Sequence, residues 1–344
     1  ANDHLDVLVV DAHALQTVDV LDFVHEIRGK LLDPGNGKNI VRPDVVKKVF
    51  DAIQETGYRP NLLAQQLATK KTNFIGFVIT NELFNGPYFS SLMYHAASYS
   101  EKSNHQLVIT DGKHSAEDER KAINFLLDMK CAGIIIYPQC LSESEIAQII
   151  ESTDTPILVL NREMPSKPEH AITTDHYHSA CVMMEHVIEQ GHQQIAVIRG
   201  KAGSSTDEQR YQAYSDILTK HGIALDESKV VQGDWTMESG YRAAQALVER
   251  KVNFTAILSE NDDMAIGAMK ALTELGYSLP QDISIVGFDN SKVGEFLTPS
   301  LTSVSVPLEQ MTQKAILKIV GESAQADAIN TTGSLVIRDS VFRR

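Results

Sequence analysis

From Phe74 onward, short runs rich in β-branched residues alternate with amphipathic stretches of helical period. The runs predict β-strands at Phe74–Ile79, Gln106–Thr110, Gly133–Tyr137, Pro156–Leu160, Ile195–Arg199, Phe254–Ser259 and Ile283–Phe288, with a further short strand at Val230–Val231. The stretches between them predict helices at Phe89–Lys102, Ala116–Met129, Ser142–Ser152, Ser179–Gln190, Asp207–His221, Glu238–Arg250 and Asp262–Leu275. Strands that alternate with helices are typical of parallel sheets covered on both faces. The strands are too many for one small unit, so the sequence predicts an α/β fold with two doubly wound parallel-sheet lobes.

The two lobes are expected to share the chain rather than to follow one another. We predict that the chain crosses to the second lobe near Thr174 and returns near Ser305. The first lobe then holds residues 74–174 plus 305–334, and the second holds residues 175–304 plus 335–344. The C-terminal segment LVIRDSVFRR is predicted to form a final strand.

A short basic segment precedes this acidic body. Residues 43–57 predict a helix, because Pro43 suits its first turn and Gly57 suits its C-cap. A second short helix is predicted to start at Pro60, followed by the linker ATKKTN. Residues 42–71 carry six Lys/Arg and three Asp/Glu, whereas residues 1–41 carry three Lys/Arg and seven Asp/Glu. The formal net charge of the whole chain is −14.

Composition excludes several classes of protein. With 43% hydrophobic residues in 344, the chain has enough apolar side chains for large cores, so it is not expected to be wholly disordered. No apolar run has the length of roughly 18 residues that crosses a bilayer. The N-terminal sequence lacks the features of a secretory signal, so a cytoplasmic protein is expected. Three cysteines without CxxC spacing, Cys131, Cys140 and Cys181, fit a reducing cytosol and predict neither disulfides nor structural zinc.

Polar side chains follow several of the predicted strands, at the edge where open α/β sheets bind ligands. They are Asn81, Asp111, the pair Asn161 and Arg162, Asn261 and Asp289. Amides, carboxylates and an arginine together suit a neutral polyhydroxyl ligand, whose hydroxyls both donate and accept. Trp235, the single tryptophan, offers a flat apolar platform for a sugar ring. The alternative is that these residues are helix caps, turns and packing residues, and for Asn261 with Asp262 a cap is a sufficient explanation.

Enzyme signatures are absent from the sequence. It contains no GxSxG, Walker, HExxH or GxGxxG motif. His170, His176 and His178 have no further ligand at recognisable spacing, so we interpret them as solvated loop histidines rather than as a metal site. No catalytic residue, cofactor or metal site is therefore predicted.

Several ordered motifs resemble one family. GYRPNLLAQQLATKKTNFIGFVIT at residues 57–80 resembles the hinge of the LacI/GalR bacterial transcription repressors. So do NREMP, the pair Gly191 and His192, QGDWTMESGYRA, SENDDMAIGAMKAL, and PQDISIVGFDN with LTPSLTSVSVP. The likeness runs from about Ile40 to the C-terminus, and within the family the chain looks most like repressors of β-glucoside or sucrose operons.

The resemblance implies a periplasmic-binding-protein-like core with a sugar-type effector between its lobes. Arg210 matches an arginine that holds ligand hydroxyls, and Trp235 matches an aromatic wall. Asn261 and Asp289 match polar contacts, and the pair Asn161 and Arg162 matches a strand-tip pair of the cleft. Asn81 and Asp111 complete the expected effector-binding set.

The resemblance also implies operator DNA as a partner. It assigns residues 1–58 to a helical DNA-binding head and residues 59–73 to a hinge helix and linker. The expected DNA-binding residues are Arg59, Asn61, Ala64, Leu67 and Lys70, with Leu67 as the wedge that unstacks a base step in the minor groove. A homodimer is expected, and a tetramer less so, because the C-terminus shows no leucine-heptad helix.

The first 41 residues depart from the family pattern. Asp11-Ala12-His13-Ala14 replaces the usual Ala-Gly-Val-Ser turn of the helix-turn-helix, and Asp19 and Val20 stand where Ser and Arg usually face DNA. Acidic residues there would repel phosphates, so no base-reading residue is assigned to this segment. Two explanations stay open: a natural but divergent head, or a frame-shifted translation joined to the family sequence near Asn36.

Three hypotheses of function follow. The first is a DNA-binding transcriptional repressor of a carbohydrate-utilisation operon, controlled by a sugar-type effector. The second is a sugar-binding module without specific DNA binding, which the acidic N-terminal segment favours. The third is an enzyme, which no nucleophile–base or metal constellation supports.

Overall fold

The computed structural model describes residues 51, 72–80, 86–322 and 329–344. Residues 73–344 form one compact unit. Its strands are β1 (Phe74–Ile79), β2 (Gln106–Asp111), β3 (Gly133–Tyr137), β4 (Ile157–Leu160), β5 (Ala171–Thr174), β6 (Ile195–Arg199), β7 (Val230–Gln232), β8 (Ala256–Ser259), β9 (Ser284–Phe288), β10 (Thr302–Ser305), β11 (Ile329–Thr331) and β12 (Ser334–Val336). Its helices are α1 (Pro87–Lys102), α2 (Ala116–Asp128), α3 (Glu143–Glu151), α4 (His176–Glu189), α5 (Ser205–Lys220), α6 (Met237–Glu249), α7 (Asp262–Glu274) and α8 (Leu308–Ile319).

The strands form two six-stranded sheets. Sheet A has the order β11-β5-β4-β3-β1-β2, and all its pairings are parallel. Sheet B has the order β12-β10-β9-β8-β6-β7 and is parallel except that β12 pairs antiparallel with β10. The chain passes from sheet A to sheet B between β5 and α4, returns after β10, and crosses once more between β11 and β12.

Each sheet is buried on both faces, which explains its continuous apolar strands. In β3, Ile135 packs into one core of sheet A, while Ile134 and Ile136 pack into the core on the opposite face. In β9, Ile285 and Val286 divide in the same way between the two cores of sheet B. Covering each sheet on both faces is the doubly wound arrangement, so the predicted fold class is confirmed.

Side-chain caps start several of the helices. The Ser115 hydroxyl accepts the Asp118 N–H at the start of α2, and Ser142 with Glu145 forms a capping box at the start of α3. Asp175 accepts the His178 N–H, so α4 begins at His176, three residues before the predicted start. The capping residue thus fixes where the crossing segment becomes helical.

The C-terminal prediction was wrong in most of its length. Only Leu335 and Val336 of LVIRDSVFRR lie in a strand. Beyond them, single hydrogen bonds replace a regular ladder: the Ser340 hydroxyl accepts the Thr302 N–H at 2.8 Å and donates to the Ile285 carbonyl, and the Ser340 carbonyl accepts the Ile285 N–H at 2.9 Å. The short strands β5, β10 and β11 and helix α8 were not predicted at all.

Apart from Asp51, Thr72 and Asn73, the predicted head and hinge lie outside the residues that the structure describes, and so do all the DNA-binding candidates. The same holds for Asn81. Within the described part of the chain, none of the helices combines the length and the hydropathy that a membrane span requires.

A buried carboxylate holds the turn after β3. Glu119, on α2, is 1% exposed, and its carboxylate accepts the backbone N–H groups of Gln139, Cys140 and Leu141 at 2.6, 3.1 and 2.8 Å. Side-chain oxygens therefore replace the backbone partners that this turn lacks.

We expect Glu119→Gln to lower the free energy of unfolding by about 2–3 kcal/mol, because an amide presents one acceptor oxygen and turns an N–H toward these donors. Urea denaturation followed by circular dichroism measures the loss. Glu117→Gln is the matched control on the same helix, since the Glu117 side chain is 76% exposed. Equal stability of the two variants would show that the turn does not depend on Glu119.

Candidate functional site

A buried arginine lies at the centre of the site. Arg210, on α5, is 3% exposed. One guanidinium nitrogen donates to the backbone carbonyl of Glu260, and the other lies 3.2 Å from Nδ1 of His176 and 4.0 Å from Oδ1 of Asp289. The guanidinium stacks 4.3 Å from the ring centre of Phe288. These contacts replace the water that the charge loses on burial.

The network continues from sheet B to sheet A through two side chains. Nε2 of His176 lies 2.7 Å from Oδ1 of Asn161, the residue after β4. The Asn161 amide nitrogen donates to the Tyr137 hydroxyl at 2.7 Å and to the Thr206 hydroxyl at 3.3 Å. Tyr137 in turn lies 3.1 Å from the hydroxyl of Tyr88. A continuous hydrogen-bonded chain therefore joins the carboxyl ends of strands from both sheets.

The interpretation of His176 as a solvated loop residue was wrong. It is the first residue of α4, is 5% exposed and has both ring nitrogens engaged. Burial, and then the charge of Arg210, hold the pKa of His176 well below its ordinary value, so the ring is neutral at pH 7. Of the other two histidines, His178 is exposed and His170 has Nδ1 2.6 Å from the Ile157 carbonyl.

The turn after β9 presents Asp289 in an unusual backbone conformation, with φ of 101°. The buried carboxylate of Asp262 holds this turn by accepting the Ser291 N–H and the Ser303 hydroxyl, both at 2.6 Å. Burial raises the pKa of Asp262 to about 7, although the two hydrogen bonds oppose the rise. Burial also raises the pKa of Asp289 well above its ordinary range, and Arg210 opposes this rise.

Trp235 forms one wall beside the arginine. Its indole centre lies 5.9 Å from the Arg210 guanidinium, and its φ is 72°. Asn261 holds it, since the Asn261 amide donates to the Trp235 carbonyl at 2.9 Å while its Oδ1 caps α7. Both ends of the Asn261 amide are thus engaged within the protein. Its oxygen has the helix-capping role that the sequence analysis gave as the alternative to ligand binding.

Two cavities adjoin the network. One of about 530 Å³ is lined by Asn161, Arg162 and His176 together with Cys140–Glu143, Glu163, Pro165, Thr173, Thr174, Ser205 and Gln209. The other, of about 560 Å³, shares Glu163, Thr173, Thr174, Ser205 and Gln209 with the first and extends to Tyr177 and Asn330. Both lie where residues of sheet A approach helix α5, and neither is lined by Arg210, Trp235, Asn261 or Asp289.

The structure therefore gathers most of the predicted residues but not all. Arg210, Asp289, Trp235, Asn261 and Asn161 lie within one network. Arg162 lines the first cavity and donates to the Leu141 carbonyl. Asp111 lies apart from the network on the edge strand β2, where its carboxylate accepts the Lys113 N–H at 2.7 Å.

Sequence reasoning missed Tyr88, Tyr137, His176 and Glu260. Tyr137 is the last residue of β3, whereas the strand-end rule applies only to residues that follow a strand. Glu260 stands between Ser259 and Asn261 and is fully buried, and burial followed by the charge of Asp207 raises its pKa well above the ordinary value. Among the described residues, no group of three or more potential ligands is placed to hold a metal ion.

Gly200 packs closely against the indole ring of Trp235. A methyl group at Gly200 would overlap the ring of Trp235. We expect Gly200→Ala to displace the indole toward solvent and to shift its emission to longer wavelength. The readout is unambiguous because Trp235 is the single tryptophan of the sequence. Gly294→Ala is the control, since the added methyl would make only an ordinary van der Waals contact, 3.4 Å from Cβ of Leu301; an unchanged spectrum for Gly200→Ala would refute the packing described.

Comparison with known proteins agrees with this architecture. Residues 184–341 match the family described as periplasmic binding protein-like domain. The HTH-type transcriptional regulator AscG of Escherichia coli K12 is 42% identical over 89% of this chain and 92% of its own length. GalR of the same organism is 30% identical over 78% of this chain and 77% of its own.

Solved structures give the same answer. The crystal structure of the Escherichia coli transcriptional repressor ascG is 40% identical, with a TM-score of 0.72, over 79% of this chain and all of that one. The Lac repressor bound to ONPG in the repressed state is 26% identical, with a TM-score of 0.81, over 95% of this chain and 99% of that one. The chain therefore belongs to the LacI/GalR family of HTH-type transcriptional regulators.

Proposed function

We propose that this protein represses a carbohydrate-utilisation operon by binding operator DNA as a homodimer, and that a sugar-type effector bound between the two lobes controls its DNA affinity. The single observation that carries the effector role is the hydrogen-bonded chain from Arg210 through His176 to Asn161, which joins the two sheets. Family membership supports the DNA-binding role. Operator binding also places the protein with the DNA, in the bacterial cytoplasm.

The effector site in this proposal lies around Arg210, Asp289 and Trp235, with Asn161, Arg162 and Asn261 at its edge. Its donors, acceptors and aromatic wall suit a neutral ligand with several hydroxyls. The resemblance to repressors of β-glucoside and sucrose operons makes these sugars the first candidates. Asp111 and Asn81 are also included in the proposed effector-binding set, and their positions at strand ends are the only support for including them.

The proposed domain organisation provides the coupling. The lobes are residues 74–174 plus 305–334 and residues 175–304 plus 335–344, and residues 59–73 form the hinge that follows the DNA-binding head. A ligand that bridges two lobes favours one relative position of them. Because each lobe position spaces the two hinges of a dimer differently, effector and operator affinities are thermodynamically linked.

Effector recognition by the arginine is tested by conservative variants. We expect Arg210→Lys and Asp289→Asn to lower sugar affinity at least tenfold, because lysine lacks the forked donors of the guanidinium group and asparagine replaces one carboxyl oxygen by an N–H donor, while each keeps most of the volume. Isothermal titration with phenyl β-D-glucoside, cellobiose and sucrose measures the change, and circular dichroism monitors folding. Arg242→Lys is the control, since the Arg242 side chain is 66% exposed. Wild-type affinity in both site variants would exclude this location of the effector.

Operator recognition by the hinge is tested separately. We expect Leu67→Ala to weaken operator affinity at least tenfold and to leave sugar affinity unchanged, because it removes the proposed minor-groove wedge. Fluorescence anisotropy with palindromes upstream of the gene, at two salt concentrations, measures the loss. Leu225→Ala, at a site 39% exposed, is the control.

The salt dependence of operator affinity distinguishes the repressor from the alternative, a sugar-binding module without specific DNA binding. Specific binding whose affinity falls steeply with salt, and which one sugar releases, supports the repressor. If wild-type protein binds a sugar but none of the operators, it is a sugar-binding module without specific DNA binding.

A further inference from the structure

His176 contacts both groups on which the proposed effector site depends. It lies on the segment that carries the chain from sheet A to sheet B, directly after its helix cap Asp175. Its ring reaches Arg210 of helix α5 on one side and Asn161, at the end of β4, on the other. With 5% of its surface exposed, the ring is enclosed by these partners.

The direction of each hydrogen bond in this chain follows from the arginine. A guanidinium group has donors and no acceptor. Nδ1 of His176, 3.2 Å from the Arg210 nitrogen, must therefore accept, which places the ring proton on Nε2. The Nε2–H then donates to Oδ1 of Asn161 at 2.7 Å, which leaves the Asn161 amide nitrogen to donate to Tyr137 and Thr206.

We infer that His176 is a positioning residue for effector recognition: its neutral Nε2–H tautomer fixes the direction of the Arg210 guanidinium and the orientation of the Asn161 amide. This inference rests on the proposed function in one respect: it is the proposed effector to which Arg210 and Asn161 are presented. Without the imidazole, the Asn161 amide is free to rotate by half a turn and exchange its donor and acceptor. Arg210 also loses a buried acceptor, while its Nε already has no partner.

Two variants separate hydrogen bonding from packing. Glutamine carries one acceptor oxygen and an N–H donor, so His176→Gln retains both functions of the neutral ring. Phenylalanine fills the ring volume and offers neither function. The matched control is His178→Phe, two residues along the same helix, where the side chain is exposed.

The first experiment uses the full chain without effector. A long-range ¹H–¹⁵N correlation spectrum at pH 7, with the His176 signal identified by its loss in His176→Gln, reports the ring tautomer. We expect the neutral Nε2–H form. A charged ring or the Nδ1–H form would overturn the inference whatever the protein binds.

The second experiment measures affinity for phenyl β-D-glucoside, cellobiose and sucrose by isothermal titration. We expect His176→Phe to weaken binding at least tenfold, and His176→Gln to remain within about threefold of the wild type and the His178→Phe control. Wild-type affinity in His176→Phe would overturn the positioning role. So would equal losses in the glutamine and phenylalanine variants accompanied by equal losses of unfolding midpoint, because that pattern indicates a merely structural side chain.

The two experiments also separate this inference from the proposed function. If the wild type binds none of the three sugars while the Nε2–H tautomer is observed, the assignment of sugar effectors fails and the positioning of Arg210 and Asn161 by His176 is supported.

Discussion

The buried charge of Arg210 constrains the region around it. A guanidinium removed from water requires a counter-charge and acceptors within reach, or its burial costs several kcal/mol. The chain supplies Asp289 after β9, the Glu260 carbonyl after β8 and His176 at the first crossing. Three separate segments must therefore converge on one helix face. This requirement explains why the ends of two central strands and the crossing segment meet there.

That convergence also links the two sheets. Arg210 lies on helix α5 and Asp289 follows β9, both in the part of the fold built on sheet B. In sheet A, Tyr137 is the last residue of β3 and Asn161 follows β4. His176 stands between them, so a change in the relative position of the lobes must lengthen or break one of its two hydrogen bonds. A directional contact of this kind distinguishes lobe positions more sharply than apolar packing does. In the proposed function, this network couples the effector site to the relative position of the lobes.

The sequence predicted what depends on local pattern. Strands such as β3 and β9 are continuous apolar runs, because both of their faces are buried, and they were predicted within one residue of their bounds. Strand β5, with sequence AITT, is too short and polar to be recognised alone, and His176 was misread because it follows that strand. Arg210 lies within a helix, where no strand-end rule reaches, so only the family resemblance indicated it. Side chains that are distant in sequence but meet in the fold leave no pattern in the local sequence that could predict their contact.

The donors and acceptors of the proposed site suit a neutral ligand. Two arginines, Arg199 and Arg210, face the carboxylates of Asp207 and Asp289. Glu260 adds little charge, because burial beside Asp207 raises its pKa and favours its protonated form, and both carboxyl groups reach the same Gly200 N–H, at 2.9 and 3.0 Å. Burial also raises the pKa of Asp289 well above its ordinary range, so the site carries no fixed excess of negative charge. A polyhydroxyl molecule adds no charge and can donate to carboxylates while accepting from guanidinium groups.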